Sequence, residues 1–368
     1  MDYLTIAREL IALDTTVPPG LNYEKAIDYL LPLFVAVGFT AQKIIIPPDH
    51  AEGRTGRCAL ICHRKENGKP RLIFYAHIDV VPAAGWDAFS PRVIDGRIYG
   101  RGSADMKGGL VGLLLALDTV KNRPLQYDVS VMVTTDEEYS QATQLRYLAQ
   151  YIQPVSGAYV FSLDSSFGFA SIAGLGLLQM DIVVKGKSVH SGLAHLGTNA
   201  IEKAIPMMEA LLKLKKKVTN RKSSVRVDPS TGLTHMEGRL NINIVRGGIK
   251  TNIVPDECHI SIDRRLIPEE KLEDAEKELL ATLNSVPGVE WEVEKVFRIP
   301  TVLPCQGEII DKLERVIKDV TGKTGRYGEM GSGDLSAIVC NDTGEAMISV
   351  SASSELKAIF MVKMNLPT

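Results

Sequence analysis

The run RLIFYAHIDVVP closes an apolar stretch with His77 and Asp79, two residues apart. On a strand that spacing puts both side chains on one face, and the carboxyl ends of parallel strands are where α/β sheets place their sites. A histidine oriented by a carboxylate is a zinc-ligand arrangement; a hydrogen-bonded surface histidine also fits the pair. Asp105 stands in GRIYGRGSADMKGG, between a glycine-rich turn and a helix expected from Met106. It fits a metal ligand or a helix N-cap. The glycines are no phosphate loop, since no GK[ST] follows. In VMVTTDEEYS an apolar run ends in three acids, including Glu137 and Glu138. Unpaired charge there is costly, and a metal or a raised pKa would relieve it; a plain polar turn is the alternative. VFSLDSS ends a further apolar run in Asp164. One acid in such a place is ordinary, whereas four successive βα segments that each end in a candidate metal ligand are not. Imidazole and carboxylate donors without thiolates suit zinc, with cobalt or manganese as substitutes.

These residues need a scaffold that brings strand ends together. Helical periodicity covers 1–13 and 22–38, and extended apolar segments cover 42–46, 57–63 and 71–76. A helix at 106–120, a strand at 127–135, a helix at about 142–151 and a strand at 157–163 follow. Such alternation implies an α/β domain with a mostly parallel sheet flanked by helices, and near-continuous apolar strands agree with that. From Gly176 the pattern changes. GLLQMDIVVKGK alternates like a half-exposed strand, and long amphipathic helices alternate with the strands GRLNINIV and CHISIDRR. Residues 176–297 therefore read as an inserted α+β domain, with 1–175 and 298–368 forming the first.

A chain of 368 residues accommodates two domains. A net charge of −2 leaves no footprint for nucleic acid or an acidic membrane, so a small molecule or a protein is the expected partner. The lysines at 213–217 read as a solvated helix end. GLGLL lacks the dinucleotide fingerprint. The N-terminus lacks the basic start and apolar core of a signal peptide, no run is long enough to span a bilayer, and the five cysteines form no CxxC pair. A cytoplasmic location is expected.

HIDVVP, GRGSADMKGG, TTDEE and Asp164 resemble, in order and spacing, the M20 metallopeptidases, the group of acetylornithine deacetylase, succinyl-diaminopimelate desuccinylase, aminoacylase and glutamate carboxypeptidase. The resemblance covers about residues 5–340. It implies a zinc-peptidase-like fold whose insert is a lid and dimerisation domain. It further implies that His77 and Asp164 hold one zinc, that Asp105 bridges two, and that Glu138 holds the second. Asp79 would orient His77, and Glu137 would be the general base. GKSVHSGLAHLGTNAI resembles a lid segment whose histidine, here His190, reaches the neighbouring subunit's site. TNIVPDECHISIDRR resembles a segment with a substrate-binding Asn and Arg, here Asn252 and Arg265; an ion pair of Arg265 with Asp263 or Glu257 is equally open. GEMGSGDLSA, with Asp334, resembles a glycine-rich loop beside the metals. The implied activity is zinc-dependent hydrolysis of small N-acyl amino acids or short peptides by a homodimer, as deacylase or exopeptidase, with one or two Zn2+ per chain.

The resemblance weakens after about residue 340. The family carries a further histidine ligand near its C-terminus, whereas the last histidine here is His259. DTGEAMISVSASSELKAIFMVKMNLPT also lacks the family's Gly-Pro-Gly loop, its His-x-x-x-Glu signature and its closing helix. The expectation is one metal or fewer per chain, impaired hydrolysis and irregular structure after about residue 342. The alternative reading is a catalytically impaired dimeric binding protein of the same fold.

Overall fold

The first two helices, α1 (Tyr3–Ala12) and α2 (Tyr23–Ala36), are amphipathic, with Ile6, Leu10, Ile27, Leu30 and Phe34 turned inward. Asp2 caps α1, its carboxylate accepting the N–H groups of Leu4 and Thr5. The chain is a computed structural model that describes residues 1–66, 68–152, 157–164, 169–333, 336 and 348–350. Strands β1 (Thr40–Ile45), β2 (Cys58–Arg64) and β3 (Arg71–His77) follow, then a small hairpin of β4 (Arg92–Ile94) and β5 (Arg97–Tyr99). Helix α3 (Lys107–Val120) carries Leu110, Leu113, Leu114 and Leu117 and is buried almost all round, as its apolar composition requires. Next come β6 (Asp128–Thr134), α4 (Ala142–Leu148), β7 (Ala158–Ser162) and β8 (Ala170–Gly174).

The next stretch contains β9 (Gly176–Lys185), β10 (Val189–His190), α5 (Ala200–Thr219), β11 (Lys222–Arg226), β12 (His235–Glu237) and β13 (Arg239–Gly247). It continues with β14 (Ile253–Val254), β15 (Glu257–Leu266), α6 (Leu272–Asn284) and β16 (Trp291–Ile299). The remaining described elements are α7 (Glu308–Thr321), β17 (Arg326–Glu329) and β18 (Ile348–Val350).

The largest sheet has the order β1-β2-β6-β3-β7-β18-β8-β17. Its centre is parallel, with β6, β3, β7 and β18 running the same way. The pairs β1/β2, β2/β6 and β18/β8 are antiparallel. Strands β3 and β6 are buried along nearly their whole length, because helices leave neither face to solvent. The fold is the α/β arrangement expected, a sheet with a parallel centre flanked by helices.

Two compact units are present. The first contains Met1–Ile172, Cys305–Tyr327 and β18; the second contains Ala173–Pro304 and the described residues from Gly328 to Ser336. The breaks therefore fall at 172/173 and 304/305, where the sequence placed them at 175/176 and 297/298. Residues 300–304 go with the second unit because Val302 and Gly174 exchange both backbone hydrogen bonds there. Gly328 goes with it because it bridges Val227.

In the second unit a four-stranded antiparallel sheet has the order β13-β15-β9-β16. Leu178, Met180, Ile182 and Val184 alternate along β9 and share a core with Met207, Leu211 and Leu214 of α5 and Leu279 and Leu283 of α6. Strand β13 is an edge strand, with Ile244 and Val245 exposed. Among the described residues no helix is long and apolar enough to cross a membrane. Apart from β18, the tail after residue 342 lies outside the described residues.

Candidate metal centre

The parallel register sets three strand ends side by side. His77, the last residue of β3, pairs with Thr134 at the end of β6, while Tyr75 pairs with Ser162 at the end of β7. The residues at and just past these strand ends therefore meet at one edge: His77 to Asp79, Asp136 to Glu138, and Asp164. Asp105 arrives from the loop before α3. That loop is drawn in by Met106, whose sulfur accepts the His77 N–H at 3.2 Å. Gly108 permits the close approach, since a Cβ there would stand 2.1 Å from the Ser103 carbonyl oxygen.

His77 is fully buried and its Nε2 is the focus. Asp105 Oδ1 lies 3.2 Å away, Asp164 Oδ2 3.6 Å and Glu137 Oε2 3.9 Å. Candidate ligand atoms of His77, Glu137 and Asp164 all lie within 4.8 Å of one another. On the other side of the ring, Nδ1 faces Asp79, 3.2 Å from its carbonyl oxygen and 3.4 Å from Oδ1. With only acceptors there, Nδ1 carries the hydrogen of the neutral ring, which leaves the Nε2 lone pair for a cation. Asp79 is buried too, and its Oδ2 accepts the Glu138 N–H at 2.9 Å.

Burial and crowding by like charges shift the acids. Burial pushes Glu137 up to about 8; His77 opposes this, and Asp164, Asp79 and Glu138 add to it. Burial likewise lifts Glu138 to about 7, with Asp105 the leading like charge. For His77 burial favours the neutral ring, but Asp105, Asp164 and Asp79 outweigh it and hold the pKa well above the usual value. The hydrogen bond to His77 holds Asp105 below the usual carboxylate range. Lys107, fully buried beside the loop, is lowered to about 7 by burial against the pull of Asp14 and Asp79, and its Nζ donates to the Leu13 carbonyl at 2.7 Å. The donor set fits a divalent cation. Hard oxygens and one imidazole nitrogen converge, and the two glutamates whose proton affinity burial and repulsion raise are acids that a nearby cation would favour in the ionised form.

The sequence reading put Asp105 and Glu138 among the ligands and kept Glu137 apart as base. The geometry brings Glu137 into the three-residue group, joins Asp105 to it through His77, and ties Glu138 in through its backbone. The reason is local. Asp136 has a left-handed backbone, φ 69°, and its carbonyl accepts the N–H groups of Tyr139 and Ser140. Strand alternation therefore ends before the two glutamates, and their directions were not readable from spacing.

His190, Asn252 and Arg265 belong to the second unit. His190 is exposed, and its Nδ1 accepts the Gly192 N–H at 3.1 Å. It pairs with Ile253 in the β10/β14 ladder, and the Ser191 N–H donates to the Asn252 carbonyl at 3.0 Å, so His190 and Asn252 flank one short ladder. Of the two pairings left open for Arg265, Asp263 is the partner, accepting from Nε at 2.8 Å and Nη2 at 3.1 Å, while Nη1 donates to Ser332 at 3.1 Å. Glu257 instead takes Lys185. Asp334 lies outside the described residues. Sequence reasoning missed the partners of the buried Asp136, namely Tyr23, Arg54, Arg57 and Gln144. The one signal was two arginines in the polar loop RTGR.

The pattern of peptidase family M20/M25/M40 matches residues 73–355. A probable succinyl-diaminopimelate desuccinylase of Staphylococcus epidermidis is 29% identical over 228 residues, 55% of this chain and 55% of that protein. The succinyl-diaminopimelate desuccinylase of Psychrobacter sp. is 24% identical over 338 residues, 87% of this chain and 80% of that one. The chain spans little more than half the length of the Staphylococcus epidermidis relative, and 59% of one from Corynebacterium glutamicum. Among solved structures, the M20 family metallo-carboxypeptidase Sso-CP2 of Sulfolobus solfataricus superposes with a TM-score of 0.75 at 16% identity, covering 99% of this chain and 98% of that one. The aminopeptidase PepT of Bacillus cereus superposes with a TM-score of 0.74 at 19% identity, covering 99% and 97%. At these identities the likeness is one of fold. With more than half of its length matched by the family pattern, the chain belongs to peptidase family M20/M25/M40, a family of metal-dependent hydrolases.

Proposed function

We propose that this chain is a metal-dependent amide hydrolase acting on small N-acyl amino acids or short peptides, with Glu137 as general base. The observation that carries the reading is the convergence of Asp105, Glu137 and Asp164 on His77 Nε2 at the carboxyl edge of a parallel sheet. His77, Asp105, Glu138 and Asp164 are the proposed ligands, and zinc is the ion their donor set suits best. When bound, the cation supplies positive charge that polarises the scissile carbonyl and acidifies water.

The side chains do the rest. Glu137 takes a proton from the water that adds to the carbonyl carbon, and gives it to the nitrogen as the C–N bond breaks, leaving a carboxylic acid and an amine. Its raised proton affinity suits a group that must accept and then release. Asp79 keeps His77 oriented. Arg265 would offer a substrate carboxylate a planar fork of donors, with Asn252 and Asp334 as the other proposed substrate-binding residues. The second unit serves as lid and dimerisation domain, with His190 completing the partner's site. The β13 edge, unpaired among the described residues, and exposed Ile205 and Leu212 of α5 support such an interface. The four described free cysteines are all buried, which suits a reducing cytoplasm.

The test is metal content by elemental analysis together with hydrolysis of N-acetyl and N-succinyl amino acids and of dipeptides. Metal-dependent turnover that disappears in Glu137→Ala supports the reading. Ligand binding without turnover in metal-loaded protein favours the second reading, a dimeric binding protein, to which the position of the last histidine at 259 points.

A further inference from the structure

The acid that precedes the two glutamates is bound entirely from behind. Asp136 is fully buried. Its Oδ1 accepts the Tyr23 hydroxyl at 2.8 Å. Its Oδ2 accepts Arg57 Nε at 2.8 Å and Gln144 Nε2 at 2.9 Å, with Arg54 Nε 3.1 Å away. Both arginines come from the loop before β2, and both have further anchors. Arg57 donates to the carbonyls of Thr55 and Pro19 and lies over the Tyr23 ring. Arg54 Nη2 donates to the Ser140 carbonyl at 2.6 Å, and its guanidinium lies 4.9 Å from the Tyr139 ring centre. The clamp therefore grips the 136–140 turn at both ends, and Glu137 and Glu138 lie between the grips.

Asp136 also holds a backbone conformation that residues with a Cβ rarely adopt, φ 69°. Such a conformation persists only where the surroundings over-determine it, and it concentrates at functional sites. A buried ion pair adds little net stability compared with apolar packing of the same volume, so stability alone does not account for two arginines here. A turn that must aim two carboxylates does.

We propose that Asp136, gripped by Arg54 and Arg57, is a positioning residue that fixes the 136–140 turn and so aims Glu137 and Glu138 at the His77 cluster. This rests on the metal-hydrolase reading for its role in turnover, but the aiming itself is read by metal binding. The experiment compares full-length parent, Asp136→Asn and Arg54→Gln, each titrated with cobalt(II) and followed by its absorption, with the unfolding midpoint as a check on folding. Asp136→Asn is expected to weaken cobalt binding about ten-fold or more, the size typical of losing a partner that orients the ligands. Its kcat should fall roughly 10- to 100-fold with KM little changed. Arg54→Gln should move both in the same direction by a smaller factor. A folded Asp136→Asn with cobalt affinity and kcat within two-fold of the parent overturns the proposal, because a merely structural residue moves the unfolding midpoint alone. Should Asp136→Asn fail to fold, Arg54→Gln decides by the same two readouts. A parent that hydrolyses nothing while its variants still lose cobalt affinity sinks the hydrolase reading and supports the clamp. A parent that binds no cobalt overturns both.

Discussion

The Asp79 carboxylate accepts the backbone N–H of Glu138 at 2.9 Å. The same carboxylate stands 3.4 Å from His77 Nδ1. One buried side chain thus couples the end of β3 to the turn after β6, and the imidazole cannot be re-aimed without disturbing the glutamate turn. Replacing Asp79 by alanine leaves both groups without this acceptor. Asp79→Ala is expected to lose metal affinity by roughly 10- to 100-fold, measured by elemental analysis after dialysis against a graded chelator. Retention of metal at the parent's level would remove Asp79 from this role.

Glu137 separates two assignments. As a base, Glu137→Ala should lower turnover by about two orders of magnitude or more with metal content intact. As a ligand, which its place within the 4.8 Å group allows, the same variant should lose metal in parallel with activity. Metal analysis and single-turnover rates on one preparation distinguish the two.

Gly108 offers a test through the backbone. A methyl group there collides with the Ser103 carbonyl, so Gly108→Ala must displace the loop that carries Asp105. The expected cost is about 1 to 3 kcal/mol of stability, together with weaker zinc binding. A variant with normal zinc affinity and a normal unfolding midpoint would show that the loop adapts freely.

In the second unit, Arg221 forks onto Glu278 at 2.5 and 2.9 Å, and this hydrogen bonding holds Glu278 below the usual carboxylate range. A depressed folded-state pKa stabilises above the unfolded value of 4.5 and is lost as pH falls through the folded one. The pair is partly exposed, so its worth is about 1 kcal/mol. Glu278→Gln should lower the unfolding midpoint by roughly 2 to 4 °C at pH 7, and the gap should close as the pH falls below 4.5. A gap that stays constant with pH would rule out the ion pair as its source.

For the proposed dimer, His190→Ala and Glu137→Ala proteins are mixed under conditions where subunits exchange. A mixed dimer holds one site with both residues intact, so activity above either parent is expected. Exchange without recovery would place His190 outside the partner's site.

The candidate residues were legible because burial makes apolar strand ends conspicuous. His77, the DEE run and Asp164 each stop a run of buried residues, and a charge there needs a reason. The parallel centre was legible for the same cause, since β3 and β6 are apolar along most of their length. Side-chain direction in the 136–140 turn was not legible, because a positive φ at a non-glycine residue follows from tertiary contacts with Arg54, Arg57 and Tyr23. Those arginines look in sequence like any polar loop. The pairing of Arg265 with Asp263 was one of two options that strand spacing allowed, and the fold chose between them. His190 and Asn252 carried no signal beyond resemblance; the short ladder that sets them side by side arises from residues more than sixty positions apart.

Strand β18 sits between β7 and β8 in the sheet, pairing with both. A nascent chain makes β7 and β8 long before residue 348 exists. At synthesis rates of roughly 5 to 20 residues per second the interval is on the order of 10 to 40 s. During that time the slot between β7 and β8 presents unpaired N–H and C=O groups along its edges. Asp164 follows β7, so the strand that carries this side of the site gains its outer neighbour only from the last described stretch of the chain.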